Sequence, residues 1–370
     1  MMRGSQYAGH NMQIKHTTVY SGPGRYAGWP ANYGIWSWKD EIVTGFTLGY
    51  HNDKGGFHAR DTGQPFIAMQ SRSLDGGLTW DSIQAPLQAP GNMGISADEH
   101  MAAPQGPLAD RVGPPVAHPG GIDFTHPNFA MLCARTGLKA GAESWFYTSI
   151  DRCRTWDGPF TLPMFGQLGI AARTDYLVDG RGEATLFLTA TKSDGEEGRV
   201  FGARTVDGGQ SFNFVSWLRP HPPGFDIMPS SLRLDDGGMI TALRTRDASG
   251  SGDSIDLMRS DDNGITWRHT TTPVSDTGTG GNPPAMIRLS DGRICLTYGF
   301  RNAPSGIRAV LSDDQGGSWS PEIVLRDDGG NHDIGYPRSV ERDDGSVVTV
   351  YYYNDSPDKE RYIAATIWKP

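Results

Sequence analysis

The sequence predicts an all-β protein, a single six-bladed β-propeller of four-stranded antiparallel blades. Three observations lead there: a composition rich in turn formers and aromatics, a short turn that returns along the chain, and a hairpin that recurs at regular spacing. The 370 residues hold 49 glycines and 25 prolines, with glycine at roughly twice its ordinary share. No Gly-X-Y period accompanies them, which excludes a collagen-like chain. Ten Trp, 14 Phe and 13 Tyr are too many for a disordered one. Many short apolar runs between glycines and prolines fit β-architecture with tight turns.

The turn reads Ser73-Leu74-Asp75-Gly76-Gly77-Leu78-Thr79-Trp80 and returns with Asp262 and Trp267, and with Asp314 and Trp319, at the matching places. Weaker copies centre on Asp207, with Phe212 as the aromatic, and on Asp151, where Cys153 stands in place of a glycine. Its physics is local. The Asp carboxylate accepts backbone N–H groups across the bend, the glycine supplies a positive φ, and the aromatic packs back between sheets. It joins two antiparallel strands and is expected to be structural rather than catalytic.

The hairpins read Pro229 to Arg244 through Asp236-Gly237, Pro284 to Phe300 through Asp291-Gly292, and Pro337 to Tyr352 through Asp344-Gly345, each an Asp-Gly turn between alternating runs. Earlier copies begin near 33, 127 and 176. Past the first, the interval is roughly 50–55 residues, the size of a propeller blade. Six such units fill the chain. The last runs out after Tyr362 to Trp368, its third strand, so its fourth is expected from residues 13–19, which closes the ring and removes an open edge. One domain over 1–370 is therefore expected, with a Pro/Gly/Met-rich insertion at about 86–121 in the long first interval. Long loops without structure of their own tend to be functional.

Charge and cysteine content narrow the function. The formal charge is −9, with no Lys/Arg block, so nucleic acid is not an expected partner. No run of 18 apolar residues exists, so no membrane span is expected. The N-terminal residues 1–16 are polar and show no signal peptide. The expectation is a cytoplasmic protein, or a secreted or periplasmic one whose signal has been removed. Cys133, Cys153 and Cys295 make no disulfide framework; Cys133 and Cys295 read as small buried hydrophobes. There is no His-Glu-x-x-His, Cys-x-x-Cys or calcium loop, so neither metal nor cofactor is expected. Oligomeric state is left open.

A propeller binds at the mouth of its central channel, lined by residues just before each inner strand and just after each second strand. Before inner strands stand Arg25 and Trp29, Asp123 and His126, Arg173 and Asp175, Asp226, and His332, Asp333 and Tyr336. After second strands stand Arg135, Lys192, Arg244, Arg246 and Arg301, and the loop past the first unit's second strand carries His58 and Asp61. Recurring cations in an acidic protein suit an anionic substrate group, most simply a carboxylate gripped by paired arginine N–H groups. The alternative is that these arginines pair with neighbouring Asp residues to hold loops. Candidate acid, base or nucleophilic groups are Asp61, Asp123, Asp226, Asp333, His332 and Tyr336. The candidate binding groups are Arg25, Trp29, His126, Arg135, Arg173, Asp175, Lys192, Arg244, Arg246 and Arg301.

The turn copies resemble the Asp-box (BNR) repeats of the sialidase superfamily, over about residues 22–368. Members include sialidases, exo-arabinanases, other sugar-cleaving enzymes and non-enzymatic proteins. For sialidases the resemblance implies an arginine triad on the substrate carboxylate, a Tyr nucleophile with a supporting Glu, and an Asp acid/base. Arg246 (or Arg244) and Arg301 match two of the arginines, Tyr336 matches the Tyr, and Asp61 is an approximate match to the Asp. Where the first triad arginine stands in a Phe-Arg-Ile-Pro motif, this chain reads Ala27-Gly28-Trp29-Pro30. The resemblance therefore implies a sialidase-like fold and an exo-acting glycoside hydrolase on an oligosaccharide other than a true sialidase substrate, with a carbohydrate as its partner. A uronate-directed lyase of the same fold, or a non-catalytic glycan-binding propeller, are the alternatives.

Overall fold

The structure, a computed structural model, describes residues 13–54, 56–87, 90 and 113–370. It is an all-β six-bladed propeller with a sialidase-like fold. Strand β1 (Ile14–Tyr20) comes first in the chain and belongs to the last blade. Blade 1 holds β2 (Arg25–Gly28), β3 (Ile35–Trp38), β4 (Glu41–Tyr50), β5 (Ile67–Ser73) and β6 (Asp81–Gln84). Blade 2 holds β7 (Ala130–Arg135), β8 (Ser144–Ser149) and β9 (Asp157–Thr161). Blade 3 holds β10 (Tyr176–Gly180), β11 (Glu183–Thr191), β12 (Glu197–Thr205) and β13 (Asn213–Trp217). Blade 4 holds β14 (Phe225–Arg233), β15 (Met239–Arg246), β16 (Asp253–Ser260) and β17 (Arg268–Val274). Blade 5 holds β18 (Ala285–Arg288), β19 (Ile294–Phe300), β20 (Ser305–Ser312) and β21 (Ile323–Gly329). Blade 6 holds β22 (Gly335–Glu341), β23 (Val347–Tyr353) and β24 (Tyr362–Trp368), and β1 pairs antiparallel with β24 as its outer strand.

Two blades depart from the four-strand plan. The inner strand of blade 1 is split, because β2 and β3 both pair with β4 around a short 3-10 turn at Pro30–Asn32. In blade 2 the described residues form three strands, and β7 is the second strand, not the inner one expected to begin near 127. Residues 123–129 are occupied by successive turns, with the His126 N–H on the Asp123 carbonyl and the Phe129 N–H on the His126 carbonyl. Most of the expected 86–121 insertion lies outside the described residues.

The second strands are buried along nearly their whole length, since each lies between two neighbouring blades. Their sequences are accordingly continuous apolar runs, such as Val347-Val348-Thr349-Val350-Tyr351. Third strands such as β16 and β20 show more of the alternation. Apolar side chains from adjacent blades form the core between them. One cluster joins Tyr352 and Val350 of blade 6 to Phe46 and Tyr26 of blade 1, and another joins Leu257 and Ile240 of blade 4 to Leu296 of blade 5.

All five Asp turns form as a local motif. In the first, the Asp75 carboxylate accepts the N–H groups of Leu78 and Thr79 and the Thr79 hydroxyl, and Ser73 Oγ caps the Gly77 N–H at 2.7 Å. Two consecutive residues in each turn take positive φ, including Gly76 and Gly77, and in the weakest copy Arg152 and Cys153, each at 60°. Antiparallel order puts these turns and the inner-strand hairpins at one end of the ring; the Gly208 N–H, for example, reaches the Gly182 carbonyl. The second-to-third loops and the connections between blades are therefore at the other end, around the channel mouth.

Candidate functional site

At that mouth, side chains from four blades converge on Tyr336. Tyr336, the second residue of β22, is in left-handed backbone at φ 52°. Its N–H donates to Asn282 Oδ1 at 2.9 Å, while Asn282 Nδ2 donates to the Ile334 carbonyl at 3.1 Å. This clamp depends on Gly335, whose φ is +105°; a Cβ there would lie 2.3 Å from Asn282 Nδ2. Trp29 and Met228 take the same left-handed conformation, at 58° and 53°, and all three residues precede a proline. Backbone held in such a region costs about 1–3 kcal/mol per residue and persists where its surroundings dictate it.

Two arginines frame the phenol. Arg244 Nη1 donates to Tyr336 Oη at 3.2 Å, and its Nη2 donates to the Gly280 carbonyl. The Arg301 guanidinium carbon lies 5.5 Å from the Tyr336 ring centre and 5.2 Å from that of Phe57. Arg301 is held by the Ile334 and Gly281 carbonyls, at 3.1 and 2.8 Å, and donates to Tyr352 Oη at 2.8 Å. Both arginines are buried, and among the described residues neither forms an ion pair. Burial would raise the Tyr336 pKa, but Arg244 first, then Arg301 and Arg173, outweigh it and bring the phenol below its ordinary value.

Behind Tyr336 lies a buried charged network centred on Asp333. Its Oδ1 accepts from His58 Nδ1 at 2.6 Å, Tyr352 Oη at 3.0 Å and Tyr26 Oη at 3.2 Å. Its Oδ2 accepts from the Ala59 N–H at 3.0 Å and Arg361 Nε at 2.9 Å. Burial alone would raise this carboxyl. The His58 contact, the Arg361 guanidinium and the Ala59 N–H outweigh it and hold the group well below the usual carboxylate range. Burial in turn pushes His58 below its ordinary value despite the carboxylate, so the imidazole is neutral near pH 7. Since the ionised Asp333 only accepts, Nδ1 carries the His58 proton and Nε2 keeps its lone pair. Tyr26 and Tyr352 are raised well above their usual values, burial being the first cause, and stay protonated as donors.

The other candidate residues are distributed as follows. Arg173 lies near Tyr336 but is engaged in both directions, by Glu197 at 2.8 and 3.2 Å and by Asn32 Oδ1 at 3.3 Å. Trp29 is buried with its ring centre 5.2 Å from His58. Asp175 is buried, accepting from the Ser231 N–H and Oγ at 3.1 and 2.7 Å, and burial raises its pKa to about 6. Asp226 is likewise raised to about 6 by burial, but bonds to Thr245 and Arg219 rather than to the Tyr336 group. Arg246 is chelated by Asp253 at 2.9 and 3.0 Å, and Lys192 by Asp194 at 2.7 Å. Arg135 is buried, reaching the Ala172 carbonyl at 3.4 Å. Arg25 donates to the Gly49 carbonyl and covers the Tyr50 ring at 4.3 Å. Asp61 caps the Gly63 N–H at 2.9 Å within its own loop. His332 bonds to the Phe57 carbonyl at 3.0 Å.

Two expected mouth residues lie at the opposite end. Asp123 pairs with Arg181 at 3.1 Å, in the hairpin turn between β10 and β11, and the His126 ring caps the Asn128 N–H. Asn128 in turn accepts from Arg152 of an Asp turn. They precede a second strand rather than an inner one, and so enter it from the Asp-turn end. Conversely, sequence reasoning did not single out Tyr352 or Arg361, and it noted His58 only as a loop residue. His58 and Asp333 are 275 positions apart, so no local pattern joins them. Among the described residues no group of three or more His, Cys, Asp or Glu side chains could hold a metal ion.

Comparison with known proteins places this geometry in context. A Dyadobacter fermentans protein of unknown function is similar over 96% of this chain and 99% of its own, at 21% identity and a TM-score of 0.71. The NanB sialidase from Streptococcus pneumoniae is similar over 95% of this chain and 70% of its own, at 12% identity and a TM-score of 0.60. Trypanosoma rangeli sialidase, solved in complex with sialic acid, gives 12% identity and a TM-score of 0.59, and this chain spans 58% of its length. At these identities the likeness is one of fold. No curated protein sequence matches the chain. The family described as the BNR repeat-like domain matches residues 129–349, more than half of the chain. The turns that organise the blades and this match agree: the chain belongs to the BNR repeat-like domain family.

Proposed function

We propose that the protein is an exo-acting glycoside hydrolase that takes a carboxylate-bearing terminal sugar at the channel mouth. The observation that carries this reading is the Tyr336 phenol beside Arg244 and Arg301, two buried guanidinium groups with no carboxylate partner among the described residues. Arginines without an anion of their own suit a substrate carboxylate. A carboxylate next to the anomeric carbon would repel an Asp or Glu nucleophile. A phenol of lowered pKa meets less repulsion, and Tyr nucleophiles are a recognised exception to the two-carboxylate scheme. In this reading Tyr336 Oη loses its proton to His58 Nε2, directly or through water, and forms a bond to the anomeric carbon. The glycosidic C–O bond breaks, and the His58 imidazolium returns the proton to the leaving oxygen; water, giving a proton to His58 Nε2, then attacks the anomeric carbon, the bond to Tyr336 Oη breaks, and the phenol takes its proton back from His58. Asp333 orients His58 and steadies its charged form.

One observation favours a second reading. Asp333, the carboxylate of this cluster, is fully engaged and held ionised, so it is poorly suited to act as an acid. Elimination needs only a base for the proton α to the carboxylate and a cation to neutralise that carboxylate, and Tyr336 with His58 and the arginines also supply these. The deciding experiment incubates the protein with sialylated, uronate-bearing and arabinose-bearing oligosaccharides and weighs the products. Cleavage with gain of one water is expected, and Tyr336→Phe should lose activity on the order of a thousandfold while remaining folded. An unsaturated product formed without water would replace hydrolysis by elimination. Absence of turnover and of binding across the panel would overturn both.

A further inference from the structure

Beside the Tyr336 cluster, and separated from it by a thin wall, lies a polar groove of about 460 Å³ between blades 4 and 5. This is within the range of small-molecule sites, roughly 300–1,000 Å³. Arg246, Asp253, Asp276, Thr279 and Asn302 line it, with the glycine-rich segment 278–280 as the shared wall. On the cluster side that wall offers its carbonyls to the arginines: Gly280 to Arg244, and the adjoining Gly281 to Arg301. Three glycines make it thin. Gly278, Gly280 and Gly281 all have φ between 70° and 79°, and a Cβ on them would meet the Asn302 backbone N at 2.4 Å, the Phe57 ring at 2.4 Å or Asp253 Oδ1 at 2.6 Å.

The groove's chemistry differs from that of the cluster. Its guanidinium is already chelated by Asp253, and Asp276 adds a second carboxylate, so a further anion gains nothing there. Donors and acceptors are interspersed. Asp276 accepts from the Gly278 N–H at 2.7 Å, and Asn302 Oδ1 accepts from the Thr279 N–H and hydroxyl at 3.1 and 3.0 Å. A ring bearing several hydroxyls, each able to donate and accept, matches such a lining better than an apolar or an anionic group. We infer that the groove binds a neutral sugar unit, the residue joined to the acidic sugar held by Arg244 and Arg301. The glycan would cross the glycine wall, with its charged unit on one side and its neutral unit on the other. This rests on the proposed function for the position of the scissile bond, but not for the groove itself.

The test compares two substrates that share one acidic sugar, on a neutral disaccharide leaving group and on an aryl leaving group. In Asn302→Ala the ratio of kcat/KM for the disaccharide over the aryl substrate should fall about tenfold, and further in Thr279→Trp, which fills the groove. Thr279 and Asn302 are both exposed, so neither change burdens the core. An unchanged ratio in both variants overturns the inference while leaving the proposed function standing. If the wild type turns over neither substrate, the proposed function fails separately. Titration calorimetry with lactose and cellobiose then decides: heat of binding lost in Thr279→Trp supports the groove, and no binding to the wild type overturns it.

Discussion

Tyr336 is held by its backbone as well as by its hydroxyl. The left-handed conformation before Pro337, the Asn282 clamp and the absence of a Cβ at residue 335 leave the phenol little choice of direction. Two guanidinium groups beside it favour the phenolate, so its titration should be visible. One tyrosine is expected to ionise below the usual value near 10, measured by phenolate absorbance against pH. That step should vanish in Tyr336→Phe and move upward in Arg244→Met; a first tyrosine step unaltered by both changes would contradict the assignment. Asp175 behaves oppositely. Its folded pKa, about 6, exceeds the unfolded value near 3.9, so its contribution to stability is complete below that value and is lost as pH rises through about 6. Two pKa units correspond to roughly 3 kcal/mol. Asp175→Asn should therefore gain about that much on the wild type between pH 4 and pH 8, read by denaturant unfolding at each pH. Arg244, Arg301 and Tyr336 were legible in the sequence because each stands at a fixed place relative to a recurring strand. The His58–Asp333–Arg361 group was not, because it exists only once the ring brings blades 1 and 6 together.

At the scale of the element, the Asp turn carries its fold in its own eight residues, which explains why all five copies could be read directly. Even the weakest keeps the geometry, with Arg152 and Cys153 adopting left-handed backbone where other copies use at least one glycine. Blade 2's entry was illegible for the converse reason. Residues 127–131 have the apolar content of a strand start, but turns closed by Asp123 and His126 carbonyls occupy the approach to β7. The turns also set an acid limit. Thr79 and Thr266 hold Asp75 and Asp262 at about 2, through hydroxyl and backbone N–H bonds. With folded values below unfolded ones, these groups favour the fold above pH 4 and cease to do so as pH falls through about 2. Unfolding midpoints should drop between pH 4 and pH 2, and the drop should be smaller in the double variant Asp75→Asn, Asp262→Asn, whose turns are already weakened at pH 7. An equal drop in both proteins would place the acid sensitivity elsewhere.

At the scale of the molecule, the site exists only if the ring is closed, because its side chains come from blades 1, 4, 5 and 6. Strand β1 makes that closure. It pairs with β24 from Ile14↔Trp368 to Tyr20↔Ile363, so that blade 6 has no open edge on that side. It also bonds to blade 1: the Thr17 hydroxyl donates to the Gly77 carbonyl at 2.9 Å, and Ser82 Oγ donates to the Val19 carbonyl at 3.2 Å. Val19 lies in the same apolar cluster as Tyr26, Phe46 and Tyr352, and Tyr26 and Tyr352 both donate to Asp333. Removing residues 1–20 therefore takes away one strand, opens the seam between the first and last blades, and loosens the support of the His58–Asp333 pair. Whole-domain stability is only about 5–15 kcal/mol, and losing a full strand ladder consumes several of these. The truncated protein should melt well below the full chain, in one transition that carries blades 1 and 6 together, and should associate through the exposed edge of β24. An unchanged melting temperature would mean that the blades hold the ring without this strand, and that closure at the seam comes from the apolar contacts between blades 6 and 1 alone.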